Sequence, residues 1–219
     1  MREQTVAMYC LLDDLLTLTR PVRLTADPRR RLTDAQVLTT ALVAARFFGG
    51  NLTLGRHYRE QHGGQNRLDK SGFTRRLHTL TDTLLALFAI CAQLINDLHT
   101  EGRYVIAFPV AVCENIRIPR CKLLTGKAYR GRSASKRQGF YGFKVQVIIT
   151  SDGVPVEFYI HAGSEADITG LRAMAVDLPE GSRLYTDNAY TDYALEDIFA
   201  EATGGQQFTA RKANSKRPH

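Results

Sequence analysis

The chain lacks several features that would assign it to common classes of protein. Its four cysteines form no C-x-x-C pair, and Cys113 and Cys121 have no matched histidines or cysteines, so the sequence does not indicate a zinc site. The N-terminus has no basic region followed by an apolar core and a cleavage site. The most apolar run, residues 84–95, is short and contains Gln93, so we expect no membrane span. These absences favour a cytoplasmic protein with reduced thiols.

Acidic residues are missing from residues 117–144, where basic residues are frequent. Such clusters neutralise nucleic-acid phosphates, and the interleaved Tyr129, Phe140 and Tyr141 can stack on unpaired bases. A solvated loop is the alternative interpretation. The net charge of +7 also favours a polyanionic partner. The candidate DNA contacts in this segment are Arg117, Arg120, Lys122, Lys127, Arg130, Arg132, Lys136, Arg137 and Lys144.

Residues 1–100 show helical periodicity. Thr33 has the position of a helix N-cap, and Gly49–Gly50 is expected to end the helix that follows it. Short helices broken by glycines and followed by Arg75 and Arg76 suggest a helix-turn-helix-like DNA-binding region. The alternative is that these arginines only solvate the outer faces of the helices.

From residue 101 onward the pattern changes to β-strands and helices, and we predict a second domain over residues 101–219. Two strands are expected before a hairpin turn at residues 151–153, which returns an antiparallel strand. A helix is predicted to begin at Asp167, and a strand over residues 183–186 precedes another helix. This order is that of the opening of a ribonuclease H-like α/β fold, here placed after an N-terminal helical bundle.

Asp187 follows the strand of residues 183–186, at the edge where α/β folds usually hold their chemistry. A carboxylate is a preferred ligand of Mg²⁺, and beside a basic surface it suggests metal-assisted phosphoryl transfer on nucleic acid. A strand-end aspartate that only caps the next turn is the alternative. Asp192, Glu196, Asp197 and Glu201 follow closely, and we interpret them as a solvated helix face or as residues that compensate the helix dipole, and not as metal ligands.

Four segments resemble the bacterial insertion-sequence transposases of the DDE type. They are residues 104–118, 139–144, 184–190 and 211–216. The resemblance implies an incomplete ribonuclease H-like mixed sheet, DNA ends of a mobile element as partner, and two Mg²⁺ ions held by three carboxylates. It assigns Asp187 as the second carboxylate, and Arg211 and Lys212 to a basic stretch that precedes the last catalytic helix.

The sequence departs from the family's pattern at two of the three carboxylates. The family carries an aspartate and a small residue before Phe-Pro, whereas here Ile106 is followed directly by Ala107, Phe108 and Pro109. The third carboxylate, a glutamate, would lie beyond His219, where a frameshift or a downstream frame could supply it. Because one carboxylate cannot hold two ions, we expect a truncated transposase that is inactive alone.

Other interpretations lead to different experiments. A non-catalytic DNA-binding remnant would compete with an intact transposase for the ends of the element, or associate with it. An active nuclease would have to recruit Glu114 or a carboxylate of a partner. If the helix that normally covers the sheet is missing, apolar surface is left open, and homodimers or larger associations are expected.

Overall fold

The computed structural model describes residues 1–19, 31–63, 66–98, 102–114, 119, 122, 124, 126–133, 137–174, 176–211, 213, 215 and 217. The chain divides into two compact units, Met1–Phe88 and Ala89–His219. The first unit is helical, and the second contains all the strands of the described residues. The division falls inside a helix rather than in a linker.

Four helices and the start of a fifth form the first unit. They are α1 (Arg2–Thr19), α2 (Asp34–Phe47), α3 (Leu52–His62), α4 (Lys70–His78) and α5 (Thr81–Leu98). Thr33 caps α2 as predicted: its hydroxyl accepts from the Gln36 N–H, and the Gln36 side chain accepts from the Thr33 N–H. The core of this unit contains Leu12, Leu16, Leu32, Ala35, Val37, Leu38, Phe73, Leu80 and Leu87.

The connection between α2 and α3 has the geometry of a helix-turn-helix. Its four residues include Gly49 and Gly50, both at positive φ, and the chain direction changes by 117°. Asn51 then caps α3 by accepting from the N–H groups of Thr53 and Leu54. Asp69 caps α4 by accepting from the Gly72 N–H.

Helix α5 is long and apolar enough to cross a membrane by length and composition alone. The expectation that the apolar run of residues 84–95 is too short for a membrane span is therefore wrong, because the helix extends beyond this run on both sides. One such helix is weak evidence, since core helices have the same composition.

The second unit is built on one mixed six-stranded sheet. Its strands are β1 (Arg103–Glu114), β2 (Arg130–Ser133), β3 (Gln138–Thr150), β4 (Pro155–Ala162), β5 (Arg183–Thr186) and β6 (Gln206–Thr209). β3 pairs antiparallel with β1, and both β2 and β4 pair antiparallel with β3. β5 lies parallel to β1, and β6 lies parallel to β5. The helices are α6 (Asp167–Ala173) and α7 (Tyr193–Thr203).

The order β4-β3-β1-β5-β6, with an antiparallel half and a parallel half, is that of a ribonuclease H-like sheet. The α/β class and the hairpin at residues 151–153 are thereby confirmed. Two strands were not predicted. β2 lies inside the segment interpreted as a basic loop, and β6 lies just before the last basic stretch.

The two faces of the sheet differ in burial. Along β3 the even-numbered Gln146, Ile148 and Thr150 are fully buried, whereas the odd-numbered residues between them are half-exposed. Helix α6 packs on β3 and β4, and α7 packs on β6. At Gly170 of α6 a Cβ atom would meet the Gln146 side chain at 2.5 Å, so the small residue lets this helix approach the buried face.

Candidate functional site

Asp187 lies directly after β5, as predicted, and begins a 3₁₀ turn over Asn188–Tyr190. The Ala189 N–H donates to Oδ1 of Asp187 at 2.8 Å, so the carboxylate caps this turn. The residue is exposed. The capping interpretation is therefore correct for one carboxylate oxygen, and the exposed position leaves the carboxylate accessible to solvent.

The neighbouring strand β1 presents no carboxylate at the level of Asp187. The parallel register pairs Arg103 with Leu184 and Tyr104 with Tyr185. The pairing ends there, and its continuation by two residues would bring Ile106 level with Asp187. From Arg103 to Cys113, β1 contains no carboxylate, so this strand supplies no second metal ligand.

Glu114 lies far along β1 from this level. Its backbone pairs with Phe140 near the other end of the β1–β3 ladder. At about 3.3 Å of rise per residue, the eight residues from Ile106 correspond to about 26 Å. The backbone of Glu114 therefore lies far from Asp187 along the sheet.

Asp167, which the sequence indicated only as the start of a helix, is a second carboxylate near Asp187. Burial first, and then the charges of Asp167 and Asp187, raise the pKa of the Tyr190 phenol, so both carboxylates lie close to this ring. Asp167 begins α6, as predicted, but its Oδ1 accepts from the Lys144 ammonium at 2.9 Å. The lysine on β3 therefore already neutralises it.

The residues do not fit the two divalent ions of the family's chemistry. Two ions about 4 Å apart require several shared anionic ligands. Within the described part of the chain, no group of three His, Cys, Asp or Glu side chains could hold a metal ion. The strand β1 beside β5 has no carboxylate from Arg103 to Cys113, and Asp167 is bound to Lys144.

A basic hairpin carries the most accessible candidate DNA contacts. Lys127 lies in the turn before β2, Arg130 and Arg132 lie on one side of β2, and Arg137 precedes β3. All four side chains are exposed, and none makes an ion pair with another described residue. Gly131 between the two arginines is buried against Phe140, which fixes the hairpin.

Three other candidates are engaged by carboxylates. Arg76 bonds to the buried Asp34 within the helical unit, and Lys144 is bound to Asp167. Arg211 donates two hydrogen bonds of 2.7 Å to Glu196, and both side chains are 7% exposed. Arg75 and Lys122 are exposed. Arg117, Arg120, Lys136 and Lys212 lie outside the described residues.

Glu196 lies in the first turn of α7, where it can compensate the helix dipole, but it is not part of a solvated face. Its side chain is buried, and it accepts hydrogen bonds from Arg211 and, at 3.4 Å, from Arg217. The Tyr193 ring lies 5.5 Å from the Arg211 guanidinium and 4.8 Å from that of Arg217. Asp192 caps α7 and accepts from Arg172.

The sheet order and the strand-end aspartate define the chain as a ribonuclease H-like domain preceded by a helical unit. The family model described as Transposase DDE domain matches residues 97–218, which is more than half of the chain. The chain belongs to this family of transposases, whose members act on DNA and generally use a divalent metal. A search of curated proteins finds no match.

Proposed function

We propose that this chain binds DNA as a member of the transposase family but neither cleaves nor joins DNA on its own. The observation that carries the proposal is the lone strand-end carboxylate: Asp187 follows β5, and the adjacent strand β1 has no carboxylate from Arg103 to Cys113. In a two-metal centre, one ion helps to activate the nucleophile and the other stabilises the leaving oxygen. A site without the shared carboxylates that hold both ions loses both functions.

The basic hairpin supports the DNA-binding part of the proposal. Its four accessible cations, Lys127, Arg130, Arg132 and Arg137, are not neutralised by described carboxylates, so their charge is available to phosphates. The helix-turn-helix geometry of α2 and α3, with the exposed Arg75 on α4, supports a second contact in the helical unit. The DNA would be the ends of a mobile element, in the cytoplasm.

Titration of DNA binding against salt tests the hairpin. We expect the double variant Arg130→Gln/Arg132→Gln to reduce the slope of log affinity against log salt by about 2, because each lost phosphate contact removes about one unit. Fluorescence anisotropy with a labelled duplex measures both affinity and slope.

Arg183→Gln is the matched control for this titration. Arg183 is also exposed, but it lies at the start of β5, at the opposite end of the sheet from the hairpin. Its loss should leave the slope nearly unchanged. Equal effects of the two changes, or a slope near zero for the unaltered chain, would reject hairpin binding.

Metal binding and nicking test the catalytic part separately. Mg²⁺ is the expected ion of the family's chemistry, and Mn²⁺ is its paramagnetic substitute. Titration of Mn²⁺ monitored by electron paramagnetic resonance should give no pair of tightly bound ions, and a plasmid carrying element ends should not be nicked. Metal-dependent nicking that is lost in Asp187→Ala would overturn the proposal.

Association with an intact transposase is the second part of the role that we propose. A chain that occupies the ends without reacting competes with an active enzyme. Strand-transfer assays with an intact family member should therefore slow as this chain is added, and the double hairpin variant should slow them less.

A further inference from the structure

One face of the sheet in the second unit is apolar and open. On β1 the alternating Tyr104, Ile106, Phe108, Val110 and Val112 are all 39–45% exposed. We call these five side chains, together with Ile160 of β4 and Phe208 of β6, the open face.

The register shows that these residues form one continuous surface. Phe108 pairs with Val145, which pairs with Ile160, so one row crosses β1, β3 and β4. A second row is aromatic: the Tyr185 ring stacks on Tyr104 at 5.0 Å between centroids and on Phe208 at 5.2 Å. Sheets normally bury such a face against another layer.

We propose that a second copy of this chain covers the open face, so that two sheets pack face to face. The proposal does not depend on DNA binding.

The area of the open face favours this occupant. Seven side chains with about 200 Å² each when fully exposed, at these exposures, leave about 600 Å² of apolar surface. This is at the upper limit for a patch on a monomer. Two copies would bury about 1,200 Å², which reaches the lower limit for a specific interface. The expected dissociation constant is therefore in the micromolar range.

Charge is compatible with self-association through this surface. Each copy carries a net charge of +7, so most orientations of two copies are repulsive. No side chain of the open face is charged, and the basic hairpin borders its Val112 end, because Arg130 pairs with Tyr141 of β3. The contact itself therefore pairs apolar side chains with apolar side chains.

Sedimentation velocity of the full chain without DNA, from about 1 to 200 µM, tests the proposal. The unaltered chain should shift from monomer to dimer, and Phe108→Glu, at the centre of the face, should raise the dissociation constant at least tenfold. Ile198→Glu is the matched control, since this residue of α7 is 60% exposed but lies outside the open face. It should leave the dimer unchanged.

A tryptophan reporter protects the test against misfolding of the charged variant. The chain contains no tryptophan, so Phe108→Trp gives a unique fluorophore on the open face. Its emission should shift to the blue as the dimer forms. A monomer throughout the range, a dimer that survives Phe108→Glu in a folded chain, or a dimer that is lost only in Leu85→Glu on α5 would overturn the proposal.

Discussion

Replacement of Glu196 by alanine should destabilise the second unit strongly, because it leaves a buried cation without its partner. The carboxylate accepts one hydrogen bond of 2.7 Å from each terminal nitrogen of Arg211, and the two side chains are each 7% exposed. Because Arg211 follows the strand β6, its backbone position is fixed by the sheet. The guanidinium should therefore stay buried when the carboxylate is removed.

The magnitude follows from the burial of the pair. Removal of one partner from a buried ion pair costs about 3–5 kcal/mol. Two features place this case at the low end. A cleft of about 630 Å³ lined by Glu196 and Arg211 admits water, and the Tyr193 ring still faces the cation at 5.5 Å. We expect a loss of about 3 kcal/mol, which corresponds to a fall in melting temperature of roughly 6–12 °C.

Urea denaturation followed by far-ultraviolet circular dichroism measures this loss. Asp197→Ala is the control, because Asp197 is the neighbour of Glu196 on α7, and its carboxylate is 61% exposed and pairs with Arg217. The control should be close to the unaltered chain, since exposed ion pairs contribute little. If Glu196→Ala were no more destabilising than Asp197→Ala, the burial argument for the Glu196–Arg211 pair would be refuted. In a double variant with Arg211→Met, most of the stability should return.

Three further changes test single features of the second unit. Gly131→Ala should cost more than about 2 kcal/mol in urea denaturation, because its Cβ would lie 2.5 Å from the Gly163 carbonyl oxygen and against the Phe140 ring; an unchanged midpoint would contradict the packing of the hairpin. Gly204→Ala should cost about 1 kcal/mol through its φ of +60° alone, and Gly204→Asn less, as thermal melts can show. Because the pKa of Tyr190 is raised in the folded chain, stability should be at full value below about pH 10 and fall as the pH rises above it. Tyr190→Phe should reduce that alkaline loss, and an unaltered pH dependence would show that the buried phenol does not titrate with unfolding.

The sequence predicted those helices and strands for which the local sequence and the packing in the fold favour the same conformation. The Thr33 cap, the alternating strand β3 and the short strand before Asp187 all have patterns that only one conformation satisfies. β2 was missed because arginines and glycines have low strand propensity. It becomes a strand only because β3 offers an unpaired edge, which is a property of the sheet and not of residues 130–133.

The sequence predicted where Asp187 lies, but not which basic residues form ion pairs with carboxylates. Asp187 follows β5 as expected, since the chain order of strand and turn is local. The partners of Lys144, Arg76 and Arg211 are 23, 42 and 15 residues away, so no sequence window reveals which cations are neutralised. The same distance hides Glu196, whose neighbours on α7 are exposed acidic residues.

The two halves of the sheet are joined unequally. β1 and β3 pair from end to end, whereas β1 and β5 share only the register pairs that begin at Arg103 and Tyr104. A wing consisting of β5, α7 and β6 can therefore detach without the loss of the antiparallel half, by partial unfolding of low free energy. Amide deuteration should reach β6 long before the centre of β3, and a protease that traps the detached wing would remove Asp187 while the hairpin persists.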